Sequence, residues 1–294
     1  MTTLGSATLL ASTPRLQFIE SLRNDESKHN HRNYPLKRVL RTLNCHDTDD
    51  IPKAPLAGQV ITEDGITYQM MHNGIKIIKG CYYGQQSEWM TDIIRGLLGH
   101  HEPQEERVFY EILKHIPSHA VMLELGSYWA YYSLWFAKST PNAQNFLIEP
   151  CEKYLEIGKA NFHLNKQHGT FIQAYVGLPC DRSISYKNVP KIGIDTFLRQ
   201  SNIERLHILH SDIQGAELEM LQSATQAIKE HKIDYCIIST HSDLLHKQCL
   251  KFLVNHGYVV IAEHNVTQSG SADGLIAVRR KEIAYPHKVD ISKY

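Results

Sequence analysis

Net charge is absent from this sequence: 31 acidic side chains balance 31 basic ones. That balance leaves no electrostatic footprint for nucleic acid and no polybasic patch for an anionic membrane surface. Long apolar runs are missing as well. The longest are of strand length, which argues against a membrane-spanning helix, and Met1 to Pro14 lacks a basic n-region, so no secretory signal is expected. The cysteines Cys45, Cys81, Cys151, Cys180, Cys236 and Cys249 never fall in a C-x-x-C spacing. They read as buried or free thiols of a reducing cytoplasm rather than as a disulfide or zinc framework. No internal repeat or low-complexity tract is present.

What the chain does have is a strand that breaks at a glycine and runs into a helix. Val121 to Leu125 is apolar except for Glu124, the pattern of a parallel strand covered on both faces. Gly126 then permits a tight turn, and Trp129, Ser133 and Phe136 follow at helical spacing. Written as E-x-G-x-x-x-A-x-x-S, the segment has one glycine where the dinucleotide fingerprint G-x-G-x-x-G has three, so a pyrophosphate would find little backbone nest. A second strand, Phe146-Leu-Ile-Glu149-Pro150, also ends in an acid. An acid at the tip of the second strand is placed to accept hydrogen bonds from ribose hydroxyls. It also complements the dipole of a helix predicted over 151–164.

The third motif is His207-Ile-Leu-His210-Ser-Asp212-Ile-Gln-Gly-Ala-Glu217-Leu-Glu-Met-Leu221. Strand alternation puts His210 and Asp212 on one side, and Gly215 leads into a helix. His210-x-Asp212-x-Gln214-Gly-Ala-Glu217, together with the E-x-G-x-x-x-A-x-x-S and I-E-P segments, resembles the FkbM-type methyltransferases over roughly residues 103–280. The family is a class I, Rossmann-like group of S-adenosylmethionine (SAM)-dependent O-methyltransferases acting on sugar or polyketide hydroxyls. The resemblance implies SAM as cofactor, held by Glu124, Gly126, Ser127, Tyr128, Ala130 and Ser133 of the first motif and Glu149 and Pro150 of the second. The chain departs from the usual pattern where His210 replaces a lysine, and where Glu124 and Ala130 replace an aspartate and a glycine.

A later strand ends in Ser239-Thr240-His241-Ser242-Asp243. With its tip beside that of the third-motif strand, His210, Asp212 and His241 become the expected catalytic set. Two imidazoles and a carboxylate suit a divalent metal such as Mg, Mn or Fe, and equally suit a histidine base oriented by a carboxylate. Methyl transfer needs the acceptor hydroxyl aligned and relieved of its proton, which either device supplies. Two other readings stand beside the methyltransferase: an iron-type metal enzyme using the same three residues, and a SAM-binding module without turnover. Expected partners are a small-molecule or glycan acceptor and a second copy of the chain through its N-terminal region, with no nucleic acid, no membrane insertion and a cytoplasmic location.

The periodicities predict an α/β protein: a doubly wound, mostly parallel seven-stranded sheet with an antiparallel C-terminal hairpin, preceded by an N-terminal α+β extension. The extension covers 1–102 and the SAM-binding domain 103–294. In the extension, a polar arm or one or two helices precede a small antiparallel meander with turns at Asp64-Gly65 and Asn73-Gly74, then a helix over 87–98; a helix over 103–116 opens the SAM-binding domain. Tyr68, Tyr82, Tyr83 and Trp89 suggest a cap or an oligomer surface. Beyond it the pattern reads strand 120–125, helix 128–138, strand 145–149, helix 151–164, strand 170–175, a strand or loop at 182–189, and helix 194–201. Strand 206–212, helix 215–229, strand 233–240, helix 242–256 and strands 258–263 and 274–279 complete it. Histidine is abundant, at 18 residues; the pairs His100-His101 and His29/His31 read as solvated or locally hydrogen-bonded and are given no chemistry.

Overall fold

The computed structural model describes residues 5–30, 33–82, 88–178 and 189–294. They divide into two compact units, one of residues 1–107 with 270–272, the other of residues 108–269 with 273–294.

The first unit holds α1 (Gly5–Asn24), α2 (Glu26–Asn30), α3 (Leu36–Leu43), β1 (Val60–Glu63), β2 (Ile66–Met70), β3 (Lys76–Ile78) and α4 (Trp89–Gly96). The division falls within α5 (Pro103–Leu113). The three strands form an antiparallel sheet in sequential order. Asp64 and Gly65 both take positive φ, the backbone of a hairpin turn whose twist matches that of its strands. Tyr68, Tyr82 and Trp89 are buried with Met71, Ile75, Ile77 and Ile94. These aromatics are core residues rather than a surface; Tyr83 and His31 lie outside the described residues.

The second unit is built on β4 (Val121–Leu125), α6 (Tyr131–Ser139), β5 (Gln144–Ile148), α7 (Glu152–Leu164), β6 (Thr170–Ile172), β7 (Tyr175–Val176), β8 (Lys191–Ile192) and α8 (Ile194–Gln200). It continues through β9 (Leu206–Ser211), α9 (Glu217–Ser223), α10 (Thr225–Lys229), β10 (Ile233–Thr240), α11 (Asp243–Asn255), β11 (Tyr258–His264), a 3-10 turn (Val266–Gln268) and β12 (Gly274–Arg280). Seven strands join in the order β11-β12-β10-β9-β4-β5-β6. β10, β9, β4, β5 and β6 run parallel, and β12 is antiparallel to both β10 and β11. This is the Rossmann-like, mostly parallel sheet with a C-terminal antiparallel pair that the alternating periodicities predict. Every residue of β10 is buried, as a central parallel strand covered by helices on both faces must be. Leu123, Leu125, Ile148, Leu209, Cys236 and Ile238 belong to one apolar cluster beneath those helices.

Two predicted elements differ from the outcome. The strand expected over 170–175 breaks after Ile172: Glu149 N–H bonds to the Ile172 carbonyl at 3.1 Å, and Tyr175 re-pairs with Lys191 in a separate two-stranded sheet. The helix expected over 215–229 is two helices, because Ala224 leaves helical geometry at φ −102°, ψ 8°. The strand or loop expected at 182–189 falls almost wholly outside the described residues, as does Cys180; no disulfide joins the cysteines among the described residues. Among the described residues no helix is long and apolar enough to cross a membrane.

Candidate active site

The carboxyl ends of β4, β5, β9 and β10 lie side by side, the edge at which open parallel sheets bind ligands. The turn after β4 is wound tightly there. Gly126, Tyr128 and Ala130 take φ values of 72°, 39° and 61°. Positive φ in non-glycine residues is uncommon and gathers at functional turns. Position 130, a glycine in the usual FkbM pattern, thus holds alanine in a left-handed conformation that disfavours side chains by about 1–2 kcal/mol.

The two motif acids are spent on holding this turn. Glu124 is buried, and its Oε2 accepts the backbone N–H of Ser133 at 3.1 Å. It serves α6 as an N-cap would, since Ala130 has no side-chain acceptor to offer. Glu149 accepts from Tyr128 N–H at 3.2 Å and from Cys151 N–H at 2.8 Å. It therefore ties the β4–α6 turn to the start of α7. Burial pushes the Glu149 carboxyl up, the two backbone donors pull it back, and the Asp212 charge adds to the upward shift. Ser127 Oγ and Ser133 Oγ are buried without a hydrogen-bond partner among the described residues. Buried hydroxyls are ordinarily paired, so two open ones beside a glycine turn and an acid-tipped strand fit a polar cofactor. Pro150, exposed at an intermediate level, offers its carbonyl to Gln173 at 3.2 Å.

At the tips of β9 and β10, His241 stands among three carboxylates. Its Nδ1 lies 2.7 Å from Glu217 Oε1, and its Nε2 lies 3.1 Å from Asp212 Oδ1 and 3.6 Å from Asp273 Oδ1. Glu217 is fully buried, while Asp212 and Asp273 are 31% and 26% exposed. Burial alone would lower the His241 pKa, but the Asp212 and Glu217 carboxylates, with Asp273 behind them, raise it to about 10. At neutral pH the ring is an imidazolium with carboxylates at both nitrogens. In that form it has no lone pair with which to take a proton, which favours an orienting role beside the Asp212 carboxylate.

His210 does not join this group, and the expected His210, Asp212, His241 set does not form. In the parallel register His210 pairs with Glu124 of β4. Its ring packs 4.3 Å from that of Tyr132 and 6.4 Å from that of Phe109, with Nδ1 3.9 Å from Glu124 Oε1. Alternation keeps two residues on one face only while the strand continues, and β9 ends at Ser211. Beyond that point Gln214, at φ 57°, donates from Nε2 to Asp212 Oδ1 at 2.9 Å and holds the carboxylate toward β10. A metal shared by His210, Asp212 and His241 has no convergent donors to sit on, and the iron-type alternative loses its ligand set with them.

Two residues of the centre escaped the sequence reading. Glu217 stands within the quoted Gly-Ala-Glu signature, where the spacing itself could have marked it. Asp273 had no such signal: it precedes an antiparallel strand, and only the pairing of Thr240 with Gly274 brings it to the tip of β10.

A mostly parallel sheet whose first two strands end in acids, with a third acid at the tip of the fourth, is the Rossmann-like architecture expected from the sequence. Residues 177–260, which contain Asp212, Glu217 and His241, match the family model described as the methyltransferase FkbM domain. The sequence matches no curated protein. Among solved structures, TrmK of M. capricolum, in complex with S-adenosyl-homocysteine, is 14% identical over 59% of this chain and 68% of that one, with a TM-score of 0.41. The ribosomal protein L11 methylase of Lactobacillus delbrueckii subsp. bulgaricus is 10% identical over 62% of this chain and 80% of that one, with a TM-score of 0.42. The precorrin-6y C5,15-methyltransferase of Geobacter metallireducens is 17% identical over 58% of this chain and 86% of that one, at 0.38. These likenesses say nothing of the acceptor.

Proposed function

We propose that this chain is a SAM-dependent O-methyltransferase that transfers a methyl group to a hydroxyl of a sugar or polyketide-like acceptor. The observation that carries the proposal is the coincidence of the FkbM-domain match with a charged centre, Asp212, Glu217 and His241, at the carboxyl ends of adjacent parallel strands. SAM, when bound, supplies an electrophilic methyl on a sulfonium. Glu149 would receive the ribose hydroxyls on lone pairs left over from Tyr128 and Cys151, and Ser127 and Ser133 would offer the hydroxyls that have no partner of their own.

Asp212 is the proton acceptor in this reading. A carboxylate is a weak base, but a hydroxyl becomes strongly acidic as its oxygen bonds to carbon, so a weak base in position suffices. His241, charged and gripped by Glu217, fixes the direction of that carboxylate and offsets part of its charge. No metal enters the step. Mass spectrometry of the purified chain for co-purified SAM or S-adenosylhomocysteine, followed by labelled methyl transfer to a panel of hydroxyl acceptors, tests the proposal. SAM affinity without transfer to any hydroxyl would leave a binding module in its place.

A further inference from the structure

A second polar cluster lies in the core of the first unit. His72, in the turn between β2 and β3, and His100, after α4, are 2% and 0% exposed; Glu106, early in α5, is 0% exposed. Glu106 Oε2 is in close contact with His100 Nδ1 and lies 3.7 Å from His72 Nδ1. The two imidazole rings stack with centroids 3.9 Å apart and planes 15° from parallel. Its other oxygen, Oε1, accepts the backbone N–H groups of His101 and Glu102 at 2.7 and 3.2 Å and faces the His101 ring. The sequence pair His100-His101 is thus buried and locally bonded, not solvated.

Backbone bonds fix the cluster from behind. His72 N–H bonds to the Gly99 carbonyl at 3.0 Å, and Gly99 takes φ +92°, where a Cβ would strike the backbone of His72. The backbone carrying His72 is held in place, so only side chains need turn to meet a ligand.

One donor atom from each of His72, His100 and Glu106 lies within 4.8 Å of the others. We infer that these three side chains form a zinc site that pins the β2–β3 turn to the start of α5. Two imidazoles and a carboxylate are a recognised donor set for zinc, with Zn–N near 2.0–2.1 Å and Zn–O about 2.0–2.2 Å. In a tetrahedral site such donors stand about 3.3–3.4 Å apart. The His72–Glu106 separation closes by a few tenths of an ångström, the His100–Glu106 contact opens, and one imidazole turns out of the stack so that both in-plane lone pairs meet at one point, all by side-chain rotation. Water would take the fourth position.

The test uses the full chain without a polyhistidine tag. Elemental analysis should find stoichiometric zinc, and chelation should lower the thermal midpoint, with added Zn²⁺ restoring it. Cobalt added to the stripped wild type should give the visible d–d absorption of a low-coordinate Co²⁺ with no thiolate charge-transfer band. His72→Ala and Glu106→Gln should lose the metal while His168→Ala, an exposed control, keeps it. A wild-type chain that purifies without metal and takes up neither zinc nor cobalt overturns the inference, as does zinc retained in both His72→Ala and Glu106→Gln. The cobalt spectrum decides even if those variants fail to fold.

Discussion

The carbonyl oxygen of Asp212 occupies the space in which a Cβ on Gly126 would lie. The turn after β4 and the end of β9 cross there in direct backbone contact, with Asp212 N–H bonded to the Leu125 carbonyl at 3.0 Å.

Gly126→Ala should therefore act on folding first. The left-handed φ of 72° disfavours alanine by about 1–2 kcal/mol, and displacing the Asp212 peptide adds to it. A loss of at least about 2 kcal/mol in denaturant unfolding is expected. Wild-type stability combined with lost SAM affinity would show instead that the glycine matters only as a cofactor contact.

Glu149→Ala should weaken SAM binding about ten- to a hundredfold, the loss of a bond to a charged acceptor of roughly 1.5–3 kcal/mol. The same change removes an acceptor from Tyr128 and Cys151, so a fall in the melting midpoint should accompany it. Glu149→Gln keeps an acceptor oxygen and should lie between the two. Calorimetry showing wild-type affinity in a folded Glu149→Ala chain would remove Glu149 from the cofactor site.

Asp212→Asn should lower kcat by about a hundredfold or more while leaving SAM affinity near wild type. Glu217→Gln, a change in the positioning residue, should reduce kcat less and leave KM alone. It should also lower the His241 pKa, so that a histidine inflection appears in the rate profile between about pH 6 and 8, where the wild type shows none. Wild-type turnover in both variants with a true acceptor would place the chemistry elsewhere.

The His241 imidazolium should also be visible in stability. Its folded pKa of about 10 exceeds the ordinary value of 6.5, so its contribution is complete below about pH 6.5 and disappears as the pH rises through 10. The melting difference between wild type and His241→Gln should be largest near pH 6 and vanish by about pH 10.5. A difference that stays constant over that range would mean the ring is neutral throughout.

The sheet was legible because its strands are apolar runs ended by acids or glycines, a pattern that depends on local sequence alone. Val121 to Leu125 and Ile233 to Thr240 fall where periodicity places them. What escaped depended on partners distant in the chain. Tyr175 leaves the strand predicted around it because Lys191 offers a second pairing. His210 could be assigned to a strand but not to a face-mate, since nothing in the third motif says that the strand ends one residue later. His100-His101 could be read as solvated or as locally hydrogen-bonded; Glu106 and His72 decide for the second.

Strand direction at the C-terminal pair has a lasting consequence. A parallel strand contributes the residues that follow it to the ligand-binding edge, whereas β12, being antiparallel, contributes the residue that precedes it, Asp273. The segment joining β11 to β12 can be lengthened or shortened without shifting any of the five parallel strands. A change of length there would re-aim Asp273 alone, leaving Glu124, Glu149, Asp212 and Glu217 where the parallel strands and their helices hold them.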